Sequence, residues 1–304
     1  MTESAAPPQI RVVTVSYQSS DGVRQLLESL RGATNRPLQA VVVDNAEAPD
    51  VALQKICEKY GADYISRPDN PGFGVSSNLG ARGAEPWVVM ANPDLQFTPA
   101  SLDALIDAAE THPQAAIVGP ALVDGSGNRY PTGRSFPYFS IGIGHALFAR
   151  IWPENPWTAR YWGSAWRGQG DTEVDWLSGA CLVVRREDWE AMGGFDERFF
   201  MYFEDADLGL KARRKLGKTS LLVAGVEVIH QQGASTGNLT AGTAAPAGTS
   251  ASAGSKLNTR VLRAHHESAS LFLRHLYPQP HWRPILALIN LGLQLRLYLL
   301  LRHN

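Results

Sequence analysis

The stretch "IRVVTVSYQSSDGVRQLLESLRGATNRPLQAVVVDNA", residues 10–46, decides how the rest of the chain is read. "IRVVTVSY" is β-branched and apolar, "DGVRQLLESLRG" carries its leucines at helical spacing with Asp21 placed to cap it, and "LQAVVVDNA" is a second buried strand. Strand, turn, helix and strand in this order form a βαβ opening.

The alternation continues outward. "VALQKICEKYG" reads as a helix ending on Gly61, "ADYISRP" as a short strand, and the turn-rich "DNPGFG" as the approach to a helix over "VSSNLGARGA". "PWVVMANPD" is a fourth strand and "PASLDALIDAAETHP" another helix. The fold class that follows is α/β, a mostly parallel, Rossmann-like sheet flanked by helices, with ligands at the carboxyl ends of its strands. After about Ala115 the elements shorten and tryptophans gather at Trp152, Trp157, Trp162 and Trp166, as in an acceptor-side subregion. The division expected is a catalytic domain over 1–236, with a nucleotide-binding half at about 10–115 and an acceptor-side half at about 116–236. A flexible loop follows at 237–255, within the low-complexity "GASTGNLTAGTAAPAGTSASAGS", and a helical segment closes the chain at 256–304.

Charge and cysteine usage narrow the function classes. With 28 basic and 29 acidic residues the formal charge is -1, which leaves no electrostatic footprint for nucleic acid. Cys57 and Cys181, far apart, fit reduced thiols better than a disulfide. "MTESAAPPQI" lacks the basic start and apolar run of a secretory leader, so the chain is expected to stay on the cytoplasmic side. "PILALINLGLQLRLYLLL", residues 284–301, is apolar but interrupted by Asn290, Gln294 and Arg296, and is short for a span. Beside Arg263, Arg274, Arg283 and Arg302 it reads either as a segment lying on an anionic membrane surface or as a helix packed on the body or on a second copy of the chain.

The candidate chemistry falls on strand ends. Asp44 closes the second strand, where a carboxylate can accept from a ribose or base; an Asx-turn leaving the strand accounts for it as well. "NPGFGVSSN", Asn70 to Asn78, puts Gly72 and Gly74 ahead of a helix, where backbone amides can approach an anion, or simply make a turn. Asp94 at the mouth of the sheet and His230 at the end of "LLVAGVEVIH" are oxygen and nitrogen donors suited to Mn2+ or Mg2+ bound with diphosphate oxygens. Alone, each also fits a hydrogen-bonded structural residue.

"FFMYFEDADLGLKARR", residues 199–214, sets Glu204, Asp205 and Asp207 between an aromatic run and a helix with basic residues in its last turns. An N-cap accounts for one acid at the start of a helix, but not for three. Phe199 to Phe203 is expected to be buried and extended. Partial burial against Phe200, Tyr202 and Phe203 would raise a carboxylate's basicity while the helix N-terminus keeps it ionised, a combination that suits a general base.

Taken in order, "VVVDN", "NPGFGVSSN", "ANPD", "WLSGACLVVRRE", "GGFDERFFMYFEDADLGLKARRK" and "VIHQQGAST" resemble the inverting glycosyltransferases of family 2 with the GT-A fold, over roughly residues 10–236. Within that family the chain looks most like actinobacterial rhamnosyltransferases, a likeness carried by "FARIWPENPWTARYW" and "YPTGRSFP". The resemblance implies dTDP-L-rhamnose as donor, a GlcNAc-diphospho-polyprenol as acceptor, and cell-wall linker synthesis at the cytoplasmic membrane face. It implies Asp205 as catalytic base with Glu204 beside it, and Asp94 and His230 as metal ligands. Ser16, Tyr17, Asp44, Asn70, Gly72, Asn78, Asn92 and Asp94 are then donor-side residues, and Arg134, Trp176 and Asp207 acceptor-side ones. Arg185 joins Arg134 as a residue that either meets phosphate or forms a surface ion pair. The chain departs from the family in reading "ANPD" where many members have two aspartates. A transferase for another nucleotide sugar and a non-catalytic carbohydrate- or nucleotide-sugar-binding protein are the competing readings.

Overall fold

A computed structural model describes residues 9–129, 131–139, 151–152, 154–161, 170–231 and 254–302. The leader reading of the first residues, the loop at 237–255 up to residue 253, Trp162, Trp166, Tyr130 and, within "FARIWPENPWTARYW", residues 148–150 and 153 lie outside the described residues.

The opening forms as its pattern requires. Strand β1 (Ile10–Ser16) pairs in parallel with β2 (Leu38–Asp44) across helix α1 (Ser20–Ala33). Side chains alternate along β1, so Val12 enters the core on one face of the sheet and Val13 the core on the other. Asp21 lies inside the first turn of α1, one residue past its start, and Ser19 holds the N-cap position; Asp21 is therefore not the cap. Helix α2 (Val51–Tyr60) is capped by Asp50, which accepts from the N–H groups of Ala52 and Leu53, and it ends on Gly61 at φ 68°. Strand β3 (Asp63–Ser66) extends the parallel set beside β2. Helix α3 (Phe73–Gly80) starts ahead of the expected "VSSNLGARGA", because Gly72 takes φ 103° and turns the chain directly into it.

On the other side of β1 lies β4 (Trp87–Ala91), and the sheet order is β3-β2-β1-β4-β10-β6-β11-β5. Here β5 is Leu95–Phe97, β6 Ala115–Val123, β10 Cys181–Arg185 and β11 Thr219–His230, with α4 (Ser101–Thr111) between β5 and β6. Strands β1 to β4, β6 and β11 share one direction, while β10 and β5 run against them. The sheet is mostly parallel, and its two directions sort the side chains: Ser16, Asp44 and His230 sit at the carboxyl edge, whereas Arg185, paired with Trp87, sits at the opposite edge. Because β11 lies between β6 and β5, the segments before and after residue 115 share one sheet.

Between β6 and β10 run β7 (Gly133–Arg134), α5 (Pro156–Tyr161), β8 (Thr172–Val174) and β9 (Trp176–Leu177), with β7 paired to β9 and β8 to β11. Helix α6 (Arg186–Met192) follows β10, and α7 (Glu204–Lys211) runs on into a π-helical turn, Ala212–Leu216. Helix α8 (Gly254–Leu276) buries Phe272 and Leu276 with Phe136, Phe199, Ala206 and Leu210, a core beneath the start of α7.

Helix α9 (Arg283–Arg302) packs on α8 through a half-buried seam that includes Leu286, Ile289 and Leu293. Its outer face exposes Leu288, Leu291, Leu295 and Tyr298, and none of its residues is buried. With the short turn before it, Pro280–Arg302 is long and apolar enough to cross a membrane by length and composition, with a mean hydropathy of 1.7. The helix is longer than the leucine run alone suggests.

Candidate active site

At the carboxyl edge, β1 and β2 deliver Ser16 and Asp44, both buried. Asp44 Oδ2 accepts from the Tyr64 hydroxyl at 2.7 Å and Oδ1 from the Ala46 N–H at 3.1 Å, so the Asx-turn forms and both carboxylate oxygens have partners within the chain. The Ser16 hydroxyl has no hydrogen-bond partner among the described residues, and Tyr17 follows it half-buried. Asn45 ties the next loop in place: Ser76 donates to its Oδ1 at 2.7 Å, and its amide donates to the Gly72 carbonyl at 3.4 Å.

The 70–74 loop is held from behind by the aromatic run. Phe73 N–H donates to the Phe200 carbonyl at 2.9 Å, and a Cβ added at Gly72 would stand 2.3 Å from that same oxygen. Glycine at 72 is thus required twice, by the close approach and by φ 103°. Asn70 also sits at positive φ, 39°. Asn78 is placed differently from the donor role expected for it: its amide accepts from Phe195 N–H at 2.9 Å and donates to the Phe195 carbonyl at 3.0 Å. Both ends of that side chain clamp α3 to the segment before Phe199.

Asp94 and His230 meet. Pairing of β5 with β11 sets His230 against Leu95 and brings Asp94 Oδ1 to 3.1 Å from His230 Nε2, with Asn92 Nδ2 at 3.5 Å from the same nitrogen. Both side chains are largely buried, at 9% and 13% exposure. Adjacent ligands of an octahedral ion at about 2.1 Å stand about 3 Å apart, so this oxygen and nitrogen fit one divalent ion.

The aromatic run is not extended. Tyr202 and Phe203 take φ 69° and 65°, and Phe203 occupies the N-cap position of α7 with no side-chain cap, so neither Glu204 nor Asp205 caps the helix. Two non-glycine residues in the left-handed region cost about 1–3 kcal/mol each, strain of the kind stored where a side chain must be aimed. Here it aims α7 at β9 and the turn after it. Asp205 Oδ2 accepts from Gly179 N–H at 2.9 Å, and Oδ1 from its neighbour Ala206 N–H at 2.8 Å. A Cβ at Gly179 would lie 3.3 Å from Asp205 Cβ. Gly179 belongs to the site although no pattern in "WLSGAC" singles it out; only the close approach reveals it.

The two neighbouring acids differ electrostatically. Burial, reinforced by the charge of Asp205, pushes the Glu204 carboxyl well above the carboxylate range, and Glu204 Oε2 has no hydrogen-bond partner among the described residues. Burial also raises Asp205, but the Gly179 and Ala206 N–H groups and the charge of Arg134 pull it back. Tyr202 contributes a buried hydroxyl with no hydrogen-bond partner among the described residues.

Of the three residues expected on the acceptor side, two come together and one does not. Arg134 pairs with Trp176 across β7 and β9, its guanidinium 5.1 Å from the centre of that ring, and its charge acts on Asp205. Trp176 Nε1 donates to the Ser135 carbonyl at 3.1 Å. Asp207 turns away: two residues along a helix rotate a side chain by about 200°, and its Oδ1 meets His275 Nδ1 at 2.7 Å on α8. Arg185 is likewise structural, donating to the carbonyls of Ala109 and Ala115 at the far edge of the sheet. Trp152 and Trp157 are exposed. Asp196, Asp207 and His275 offer ligand atoms all within 4.8 Å of one another, a set that could hold a metal ion. Arg198 and Lys211 already bring positive charge to that set, with Arg198 Nη2 at 2.6 Å from Asp196 and Lys211 Nζ at 3.5 Å from Asp207.

Residues 11–190 match the profile described as Glycosyl transferase family 2. The chain is 35% identical over 307 aligned residues to N-acetylglucosaminyl-diphospho-decaprenol L-rhamnosyltransferase of Mycobacterium tuberculosis, covering 96% of this chain and 93% of the relative. It is 28% identical to the rhamnosyltransferase WbbL of Escherichia coli K12, over 66% of this chain and 76% of that one. Among solved structures, the mannosyltransferase PcManGT of Pyrobaculum calidifontis, in complex with GDP-Man and Mn2+, superposes with a TM-score of 0.54 at 14% identity, over 98% of this chain and 73% of that one. That likeness speaks to the fold, which is of the GT-A kind. With the family profile spanning more than half its length, the chain belongs to glycosyltransferase family 2 and is a glycosyltransferase.

Proposed function

We propose that the chain transfers L-rhamnose from dTDP-L-rhamnose to a GlcNAc-diphospho-polyprenol with inversion, Asp205 acting as general base. The observation that carries the reaction type is the placement of Asp205 against the Gly179 N–H and within the field of Arg134, next to Glu204. The sugar and acceptor rest on the mycobacterial relative, similar over nearly the whole of both chains.

An alcohol is a weak nucleophile, and a positioned carboxylate that takes its proton in the transition state contributes about 10²- to 10⁴-fold in rate. Burial pushes the Glu204 carboxyl well above the carboxylate range, which favours leaving the negative charge of the pair on Asp205. The Gly179 N–H keeps that carboxylate aimed while Arg134 and Trp176 flank the acceptor side. Displacement at the anomeric carbon forms the new glycosidic bond, breaks the bond to dTDP, and passes the alcohol's proton to Asp205. On the donor side, Ser16, Asp44 and the 70–74 loop would hold the nucleotide, with Asn92 beside the diphosphate. Asp94 and His230 would hold Mn2+ or Mg2+, which when bound offsets the charge that develops on the departing diphosphate. The exposed leucine face of α9, with Arg283 and Arg302 at its ends, would seat the enzyme on the cytoplasmic membrane face, where a polyprenyl acceptor resides.

Incubation with a panel of nucleotide sugars and a GlcNAc-diphospho-lipid tests the assignment. Rhamnosyl transfer from dTDP-L-rhamnose is expected, and exclusive use of another donor would overturn it.

A further inference from the structure

Helix α8 fastens the catalytic segment from behind at several points. Near its start Arg260 lies over the Phe200 ring at 4.3 Å and donates to the Asn70 carbonyl at 3.3 Å. In its middle the Ser268 hydroxyl donates to the Met201 carbonyl at 2.8 Å, and Phe272 stacks with Phe203 at 5.6 Å. In its last turn His275 contacts Asp207 and Arg198 with its two ring nitrogens, at 2.7 Å and 2.8 Å. Arg214 donates to the carbonyls of His275 and Leu276, closing the end of α8 onto the turn that follows α7.

The chemistry of the His275 contacts fixes their direction. A guanidinium can only donate, so Nε2 must accept from Arg198, and the ring hydrogen then sits on Nδ1 and is donated to Asp207. Phe199, fully buried, stands edge-on to the imidazole at 5.7 Å and prevents the ring from swinging aside. Arg198 is anchored by Asp196, and Asp207 by Lys211, which also donates to the Gly194 carbonyl at 2.9 Å. The imidazole therefore joins two anchored groups, one of them on α7.

Asp207 and Asp205 point to opposite sides of the same short helix. Whatever fixes the azimuth of Asp207 fixes that of Asp205, because an eight-residue helix turns as a unit. The N-terminal end of α7 has no side-chain cap, so the strained entry that aims the helix is supplemented further along by the contact at Asp207. We propose that His275 is a positioning residue for glycosyl transfer: by holding Asp207 it sets the rotation of α7 and keeps Asp205 against Gly179. This rests on the reading of Asp205 as the base.

The test compares the full chain with His275→Ala, His275→Asn and Asp207→Asn, measuring kcat, acceptor KM, dTDP affinity and thermal midpoint. Misplacing a reacting group by about 1 Å costs on the order of 10²-fold, so His275→Ala is expected to lower kcat about 10- to 100-fold. The affinity for dTDP should stay within about twofold, because the nucleotide residues are on other elements. His275→Asn, whose amide can still donate to Asp207, should recover most of the rate. Asp207→Asn in the His275→Ala background should add little further loss, since the two act as one unit. An unchanged kcat in His275→Ala, or a loss that follows the folded fraction or dTDP binding and is not relieved by asparagine, would overturn the proposal. If His275→Ala fails to fold, Asp207→Asn supplies the same kcat and dTDP readout. The base assignment is judged separately with Asp205→Asn: full turnover there would remove the base whatever the His275 variants do.

Discussion

Gly179 donates its backbone N–H to Asp205 Oδ2 at 2.9 Å, across a contact so close that a Cβ at 179 would touch the carboxylate it orients. A backbone donor has no rotamer to lose, so it holds the carboxylate oxygen in place more firmly than a surface side chain could. The same bond favours the ionised form of Asp205, while burial removes competing water.

Gly179→Ala is therefore expected to damage chemistry more than stability. The added methyl would lie 3.3 Å from Asp205 Cβ and 3.4 Å from Oδ2, displacing the Asp205 carboxylate by tenths of an ångström. A fall in kcat of about 10- to 100-fold with a small change in thermal midpoint is expected from steady-state kinetics and calorimetry. Gly72→Ala should do the reverse: with φ 103° and a Cβ 2.3 Å from the Phe200 carbonyl, it should lower the midpoint strongly.

The Glu204 carboxyl sits well above its unfolded range, with a sign that can be checked. Its folded form holds the proton longer than the unfolded chain does, so its contribution to stability is fully present below about pH 4.3. That contribution is lost as pH rises through the folded value. Glu204→Gln, which mimics the protonated acid, should lose this slope. Its stability relative to the parent should increase from pH 5 to pH 8 in denaturant titrations, with kcat kept within about tenfold.

Asp94 and His230 should behave as one unit toward a divalent ion. Asp94→Asn and His230→Ala are each expected to weaken Mn2+-dependent binding of dTDP in calorimetric titration. The double variant should be little worse than the weaker single one. Chelation of divalent ions should reduce dTDP binding by the parent to the level of these variants.

Leu288 and Leu295 are 71% and 56% exposed, so charged residues there should leave the fold intact. Leu288→Glu with Leu295→Glu should abolish co-sedimentation with anionic vesicles while sparing dTDP binding.

How far the residues announced all this varies with the kind of cause. The strand ends were legible, since Asp44, Asp94 and His230 each close an apolar run and a parallel sheet must gather such ends at one edge. The start of α7 was not, because tertiary packing of Phe199 and Phe203 against α8 imposes left-handed backbone where propensity favours an extended run. Asp207 was within reach of a helical-wheel argument, although its partner His275 lies far along the chain and no local pattern joins them. Asn78 and Arg185 are polar residues spent on backbone groups of distant segments, a use that no spacing rule distinguishes from ligand binding.

Single-turnover transfer from dTDP-L-rhamnose by Asp205→Asn, with dTDP affinity measured on the same protein, bears most directly on the central claim. The account predicts a loss of at least about 10²-fold in the chemical step with unchanged nucleotide affinity. Transfer at the parent rate would contradict it.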